Sequence, residues 1–400
     1  MMVGTHFDAH VMGACTSLFA FPPDVGTDVG LHTDQAGDKI LGPTQARALA
    51  GMLHKIGLLP RCNHQQVQFA YEMYSRDDRE GWRQSRAFKK AFSIDVNVEF
   101  VGVWDTVNCI GIVPRRLPFT RSNNKIRYFR HALSLDEQRA RFIPSFWNQT
   151  IETNNDTQAV RQGETPHTCE KKSYALHITH HEESGLDVHH RGFSQSTTPT
   201  DAQEVWFAGC HRDVGGGAVK NGARHSLSRI SLRWMIRECF KARTGILFQR
   251  SMFQQIGMDP ETLYPHVLER PPALTNTPTA SPVSCKLEGD SSNRDTEDTD
   301  FSSEEQEDLA DALSPIHDRL KMTPIWWILE GLPQQLCYQR DKDNAWVTKI
   351  SVNRGRGRRV PRQSAGVQVH RTVRIRMEAE GFPEKYQPKA EVEVEPTWVD

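Results

Sequence analysis

Glu204-Val-Trp-Phe-Ala-Gly-Cys-His-Arg-Asp-Val-Gly-Gly-Gly217 is the stretch on which the fold turns. Its first seven residues form a β-branched and aromatic run of strand length, which ends in His211, Asp213 and three consecutive glycines. Glycines at such a point let the backbone turn sharply and approach other groups closely. Residues 226–241 follow, with Leu227, Ile230, Leu232, Trp234, Met235 and Cys239 at offsets that suit a helix. A strand that runs through a glycine turn into a helix belongs to an α/β architecture.

Upstream, Val96-Asn-Val-Glu-Phe-Val-Gly-Val-Trp104 is nearly continuous in its apolar second half. That texture suits a strand covered on both faces, as in a parallel sheet. Before it lie three helical stretches, at 46–57, 65–74 and 85–92. The first has Leu49, Met52, Leu53 and Ile56 on one face, Gly57 as its cap and Pro60 as a stop. Residues 1–42 are rich in glycine and aspartate, lack sustained periodicity and read as poorly structured. The main α/β domain is expected over 43–265, interrupted by a polar insertion at about 150–200. Residues 266–318 open on proline steps and run into a dense acidic tract, which reads as a disordered linker. Apolar content returns in Trp326-Trp-Ile-Leu-Glu330 and at 345–352, so residues 319–400 are expected to pack back on the main domain. There is no internal repeat.

With 400 residues, 37% hydrophobic and 25% charged, the chain can bury a substantial core. A formal charge of -1 gives no global attraction to nucleic acid, and no nucleic-acid partner is expected. The eight cysteines (Cys15, Cys62, Cys109, Cys169, Cys210, Cys239, Cys285, Cys337) are widely spaced, with no Cys-x-x-Cys pair. They read as reduced thiols of a cytoplasmic protein. No apolar run approaches the roughly 20 residues that span a bilayer. Residues 11–21 lack the basic flank of a signal peptide.

Reactive groups in open α/β sheets gather beyond the carboxyl ends of strands. The first strand ends Val103-Trp-Asp105-Thr-Val107, and an acid there can orient a histidine and stabilise its protonated form. The plainer alternative is that Asp105 caps a turn. His211, after the second strand, is a usable general base, its plainer alternative being a surface histidine in a strand-to-helix turn. The acid-then-histidine order is that of a hydrolase downstream of its serine, but no Gly-x-Ser-x-Gly elbow occurs in this chain. The nearest approach, Gly192-Phe-Ser194-Gln-Ser196, lies inside the polar insertion and is read as coincidence.

From 46 to 248 the chain resembles the α/β-hydrolase-like catalytic domain shared by type VI secretion phospholipase effectors and many uncharacterised fungal proteins. The residues that carry the likeness are Ala46-Arg-Ala-Leu-Ala-Gly-Met-Leu53, Phe100-Val-Gly-Val-Trp-Asp-Thr-Val107, Leu117-Pro-Phe-Thr120, Arg130-His-Ala-Leu-Ser-Leu-Asp-Glu137 and, most specifically, Val205-Trp-Phe-Ala-Gly-Cys-His-Arg-Asp-Val-Gly-Gly-Gly217. Trp326-Trp-Ile-Leu-Glu-Gly-Leu-Pro333 and Asn353-Arg-Gly-Arg-Gly-Arg358 resemble the C-terminal part of the fungal members. The resemblance implies a mostly parallel sheet flanked by helices. It also implies a triad in which Asp105 orients His211, with Asp213 supporting the loop or adding a second carboxylate. The implied substrate is an acyl ester or lipid, and no cofactor or metal is implied. Where the family's Gly-Phe-Ser-Arg-Gly elbow would stand, this chain reads Asp38-Lys-Ile40-Leu-Gly42, and the family's N-terminal strand motif is absent from 1–40. The expectation is therefore a hydrolase-like sheet without its first strand and elbow, in a chain that is inactive or altered at its first segment by exon usage or gene modelling. The alternative is a non-catalytic binding or scaffold protein that keeps the fold.

Two other features compete for a function. The insertion carries His177, His180, His181, His189 and His190, but lacks a His-Glu-x-x-His pattern, so a zinc site is not adopted. Arg354, Arg356, Arg358, Arg359, Arg362, Arg371, Arg374 and Arg376 form a basic cluster that could contact anionic surfaces. The same arginines could instead form a solvated face or pair with the acidic tract.

Overall fold

The computed structural model describes residues 28–31, 43–60, 63–107, 119, 123–147, 199–220, 222–274, 303–340, 344–362, 366–380 and 385–400. In chain order the main elements are β1 (Asp28–Leu31), α1 (Pro43–Ile56), α2 (Val67–Ser75), α3 (Arg79–Phe92), β2 (Asn97–Trp104), β3 (Ile126–Ser134), β4 (Asp201–Phe207), α4 (His211–Gly215) and α5 (Leu227–Lys241). The C-terminal part adds α6 (Glu304–Ala312), α7 (Arg319–Met322), α8 (Trp326–Glu330), β5 (Gln334–Gln339), β6 (Trp346–Ser351), β7 (Val367–His370), α9 (Arg371–Glu378) and β8 (Pro396–Val399).

Six strands form one sheet in the order β1-β2-β3-β4-β7-β8, every neighbouring pair parallel. β5 and β6 make a separate antiparallel hairpin. In β2 the residues from Val98 to Val103 are all buried, as a strand covered on both faces requires. Helices α1 to α3 supply one core, in which Leu49, Met52 and Ile56 pack with Tyr74, Phe88, Val101 and Phe129. The other core joins Phe100, Leu133, Trp206 and Phe207 to Ile230, Trp234 and Met235 of α5 and to Val369 and Val373.

Four features of this architecture go beyond what the sequence shows. The sheet has a strand ahead of β2: β1 pairs parallel with it, so that edge is covered. The tips that carry Asp105 and His211 do not belong to adjacent strands, because β3 runs between β2 and β4. The sequence of β3, Ile126-Arg-Tyr-Phe-Arg-His-Ala-Leu-Ser134, hides a central strand behind charged residues that pair inside the protein. Buried Arg130 meets Glu238 of α5 at 2.6 Å, and buried His131 meets Glu204 of β4 at 2.9 Å. Finally, residues 319–400 do more than pack on the domain, since β7 and β8 complete its sheet.

The acidic tract expected to be a linker is ordered at its end. Ser303 caps α6 by accepting from the Gln306 N–H at 3.2 Å, and Glu304, Glu305 and Glu307 occupy the first turn, where carboxylates oppose the positive end of the helix dipole. The buried face of α6 meets arginines: Arg233 reaches Asp308 at 2.6 Å and Asp311 at 2.7 Å, Arg237 reaches Glu304 at 2.6 Å, and Arg270 reaches Asp308 at 2.9 Å. Paired charges of this kind can be buried where isolated ones cannot. Residues 275–302 and the polar insertion from 148 to 198, including its histidines and Ser194, lie outside the described residues, as does Ile40.

Candidate active site

The chain leaves β2 through Asp105, whose φ of +43° places it in the left-handed region. Aspartate tolerates that region better than most side chains, at a cost of order 1 kcal/mol or more. The turn aims its carboxylate across the end of β3, where Oδ1 accepts from the Ser134 N–H at 2.9 Å. The carboxylate is fully buried. On β4 the chain passes Gly209, at φ +110°, and enters α4 at His211. The His211 ring donates from Nδ1 to Asp105 Oδ2 at 2.7 Å, and its side chain is about a quarter exposed. An imidazole held at Nδ1 by a buried carboxylate has its Nε2 available for proton transfer, the arrangement of a triad's base and acid. Phe142 meets the ring edge-on, with centroids 4.9 Å apart.

Asp213 is not part of this pair. Its Oδ2 accepts from the N–H groups of Cys210 at 2.9 Å and His317 at 3.0 Å, and Oδ1 meets His317 Nδ1 at 2.8 Å. It therefore holds the entrance of α4 and ties residue 317 to it. Asp136 grips the same turn from the other side, accepting from Gly209 N at 2.6 Å, Tyr386 Oη at 2.8 Å and Lys389 N at 3.1 Å. Cys210, between these acids, is no alternative nucleophile. Burial, with Glu137, Asp213 and Asp136 nearby, pushes its thiol far up from the usual range, whereas reactive thiols sit in electropositive places.

Sequence reasoning missed the third partner of Asp105, which is Arg358. Its guanidinium lies parallel to the carboxylate, with Nη1 2.6 Å from Oδ1 and Nη2 2.9 Å from Oδ2. Nη1 also donates to Ser134 Oγ at 2.7 Å and Nη2 to the Phe142 carbonyl at 2.5 Å. Burial alone would raise the Asp105 pKa, but the Arg358 charge and the hydrogen bonds from His211 and Arg358 outweigh it and hold the carboxyl well below the usual range. The Asn353-Arg-Gly-Arg-Gly-Arg358 motif was the available signal, and its glycines explain the spacing: a Cβ on Gly357 would lie 1.7 Å from the Lys389 carbonyl.

The rest of the basic cluster is largely spent inside the chain. Arg359 and Arg362 pair with Glu391 and Glu393, Arg374 with Glu378, and Arg371 with Asp400, while Arg376 donates to the Ser314 carbonyl. Arg354 and Arg356 remain exposed. A cleft of about 200 Å³ is lined by Glu137, Phe142, Phe146, Trp346 and Arg358 among others; Phe142 and Arg358 join it to His211 and Asp105, which do not themselves line it. Helix α1 begins next to it. Arg47 donates to the Ser145 carbonyl at 2.6 Å, and Ser145 N–H donates to the Thr106 carbonyl at 2.7 Å.

The only His, Asp and Glu grouping with metal-ligand spacing among the described residues is His225, Glu307 and Asp311. Its carboxylates already face Arg224, Arg229 and Arg233, whose charges take the place a cation would need. No described helix is long and apolar enough to cross a membrane.

Comparison with known proteins gives two relations. The uncharacterised protein YEL023C of Saccharomyces cerevisiae is 26% identical to this chain, over 95% of the chain and 71% of the yeast protein. No solved structure matches. Residues 41–238, which carry α1 to α4, most of α5, both strand tips and His211, match the catalytic domain of type VI secretion phospholipase effectors of the Tle1-like kind, and this part of the chain is similar to that family.

Proposed function

We propose that this chain is a phospholipase-like ester hydrolase relative that keeps the acid and base of the site, Asp105 and His211, but does not turn over acyl esters by itself. The observation that carries the reading is the 2.7 Å contact between His211 Nδ1 and the buried Asp105 carboxylate at the carboxyl end of the sheet. The family match supports an acyl ester or lipid as the ligand of the adjoining cleft. In an active relative a serine would give its proton to Nε2 of this histidine and attack the ester carbonyl, while the acid stabilises the imidazolium. Here the stretch ahead of α1, Asp38-Lys-Ile40-Leu-Gly42, offers no hydroxyl or thiol. Losing the nucleophile of such a triad removes nearly all of the acceleration.

The full chain is expected to take up no fluorophosphonate label and to release nothing from short acyl esters or phospholipids. A variant that restores the elbow (Asp38→Gly, Lys39→Phe, Ile40→Ser, Leu41→Arg) is expected to gain labelling, and His211→Ala in that background to lose it. Ester release by the unaltered chain that disappears in His211→Ala would overturn the inactive reading. An elbow variant that folds but stays unlabelled would count against the acid–base reading.

A second reading is favoured by Arg358, which neutralises Asp105 with two hydrogen bonds. In it the Asp105–His211–Arg358 cluster is a structural joint of a scaffold protein, and His211→Ala leaves partner binding unchanged.

A further inference from the structure

We propose that the outer face of α8, with the turns on either side, is a docking surface for an anionic phospholipid membrane. Three large apolar side chains, Ile325, Ile328 and Leu332, recur at spacings of three and four and stand in solvent, Ile325 at 67% and Ile328 at 65% exposure. Met322 precedes them and is also exposed. Ile350 on β6 is 73% exposed and pairs across the hairpin with Gln335, three residues beyond Leu332. Helices on a protein surface ordinarily turn such a stripe inward, and a contiguous exposed apolar patch marks an interaction site.

The opposite side of the segment is firmly anchored. Buried Glu330 accepts from Ala140 N at 2.7 Å, Asn353 Nδ2 at 2.7 Å and Gly355 N at 3.1 Å. The apolar face is therefore presented by a fixed platform.

Charge chooses the occupant. From Arg319 to Arg340 the only acid is Glu330, which is buried, while Lys321, Lys349, Arg354 and Arg356 are exposed around the apolar face. Among the described residues of this segment, exposed apolar side chains and cations thus occur without an exposed acid, a combination that matches an interface whose headgroups are anionic and whose interior is hydrocarbon. Half-exposed Trp327 is the kind of ring that settles at the headgroup level.

The patch also adjoins the candidate active site. Trp326 on α8 meets Phe142 edge-on at 5.7 Å, and Phe142 meets His211. A lipid bilayer resting on α8 would lie beside the cleft, so the proposal deepens the lipid-ester reading.

The test is co-flotation of the full chain with vesicles of phosphatidylcholine alone or with a third phosphatidylserine. Binding to the anionic vesicles is expected, weakening as salt rises from about 0.1 M to about 1 M. Ile325→Asn with Ile328→Asn should reduce the apparent affinity at least about tenfold, with an unchanged circular dichroism spectrum and melting temperature. Lys321→Glu with Lys349→Glu should erase the preference for phosphatidylserine. The proposal is overturned if the chain stays free of anionic vesicles, if the double Asn variant binds as tightly as the parent, or if the chain is a dimer that this variant makes monomeric. His211→Ala and the elbow variant separate this result from the hydrolase reading, because neither alters the docking face. Vesicle binding by an elbow variant that folds but stays unlabelled would count only against the latter.

Discussion

Replacing Arg358 by leucine removes the counter-charge of a carboxylate that has no access to water. Asp105 is fully buried, and Arg358 supplies one hydrogen bond to each of its oxygens besides reaching Ser134 and Phe142. Breaking a buried ion pair from one side costs about 3–5 kcal/mol, because a charge is left without compensation. His211 and the Ser134 N–H still bind the carboxylate, so the lower half of that range, about 3 kcal/mol, is expected. Urea unfolding followed by tryptophan fluorescence measures it, with a second probe to check for a single transition. Asp105→Asn in the Arg358→Leu background should recover more than half of the loss, and the cycle should report at least about 2 kcal/mol of coupling. The pH profile should also change. A depressed carboxyl contributes stability that is present above its unfolded pKa and lost as pH falls below it. In the parent that loss runs from the ordinary carboxylate range down into strongly acidic solution, because the Asp105 carboxyl lies far below the usual range. In Arg358→Leu the folded carboxyl is raised by burial, so the acid-linked loss should shrink and the stability gap between parent and variant should narrow as pH falls below about 4. A destabilisation under about 1 kcal/mol, or a cycle without coupling, would refute the claim that Arg358 is the partner Asp105 depends on.

Other outcomes follow from groups the site does not use. Buried His54, held by Asn123 at 2.6 Å, and buried His370 both have pKa values lowered by burial to about 4. The unfolded chain binds their protons first, so stability should fall as pH drops from about 6.5 toward 4, by at most on the order of 3 kcal/mol each; a denaturant midpoint flat across that window would contradict it. Gly357→Ala drives a Cβ into the Lys389 carbonyl and should cost more than about 2 kcal/mol, read as a fall in melting temperature. Arg233→Met leaves Asp308 with Arg270 and Asp311 with Arg229 as their remaining arginines and should cost about 3 kcal/mol, the lower end for a broken buried pair. Limited proteolysis should then cut near α6, and unchanged protection there would be the contrary result.

The elements that announced themselves in sequence were those whose burial is apolar. β2, β4, α1 and α5 carry continuous or periodic hydrophobic patterns, and they stand where those patterns put them. The ones that stayed hidden bury charge. β3 is central, yet Arg130 and His131 break its apolar run, and only their distant partners Glu238 and Glu204 make them legible as core. The same holds for α6. Its acids at 304, 308 and 311 repeat at helical spacing, as do Arg229, Arg233 and Arg237 on α5, so two complementary stripes were present. Read singly, each stripe looks like solvated surface. At the site, the motif residues Asp105 and His211 could be named from their strand ends, whereas Arg358 lies 253 positions from the acid it holds, a pairing that no local pattern encodes.

That order of strands has a bearing on how the protein is made. β4 receives its outer neighbour only when β7, at 367–370, has been synthesised, and β7 receives its own from 396–399. While the ribosome is still adding the intervening stretch, the nascent sheet presents an open row of amide and carbonyl groups, and the Asp105 carboxylate lacks its guanidinium. Such an intermediate invites strand-to-strand aggregation. Expression of 1–265 alone should therefore yield insoluble material. The sheet is complete only once β7 and β8 are in place.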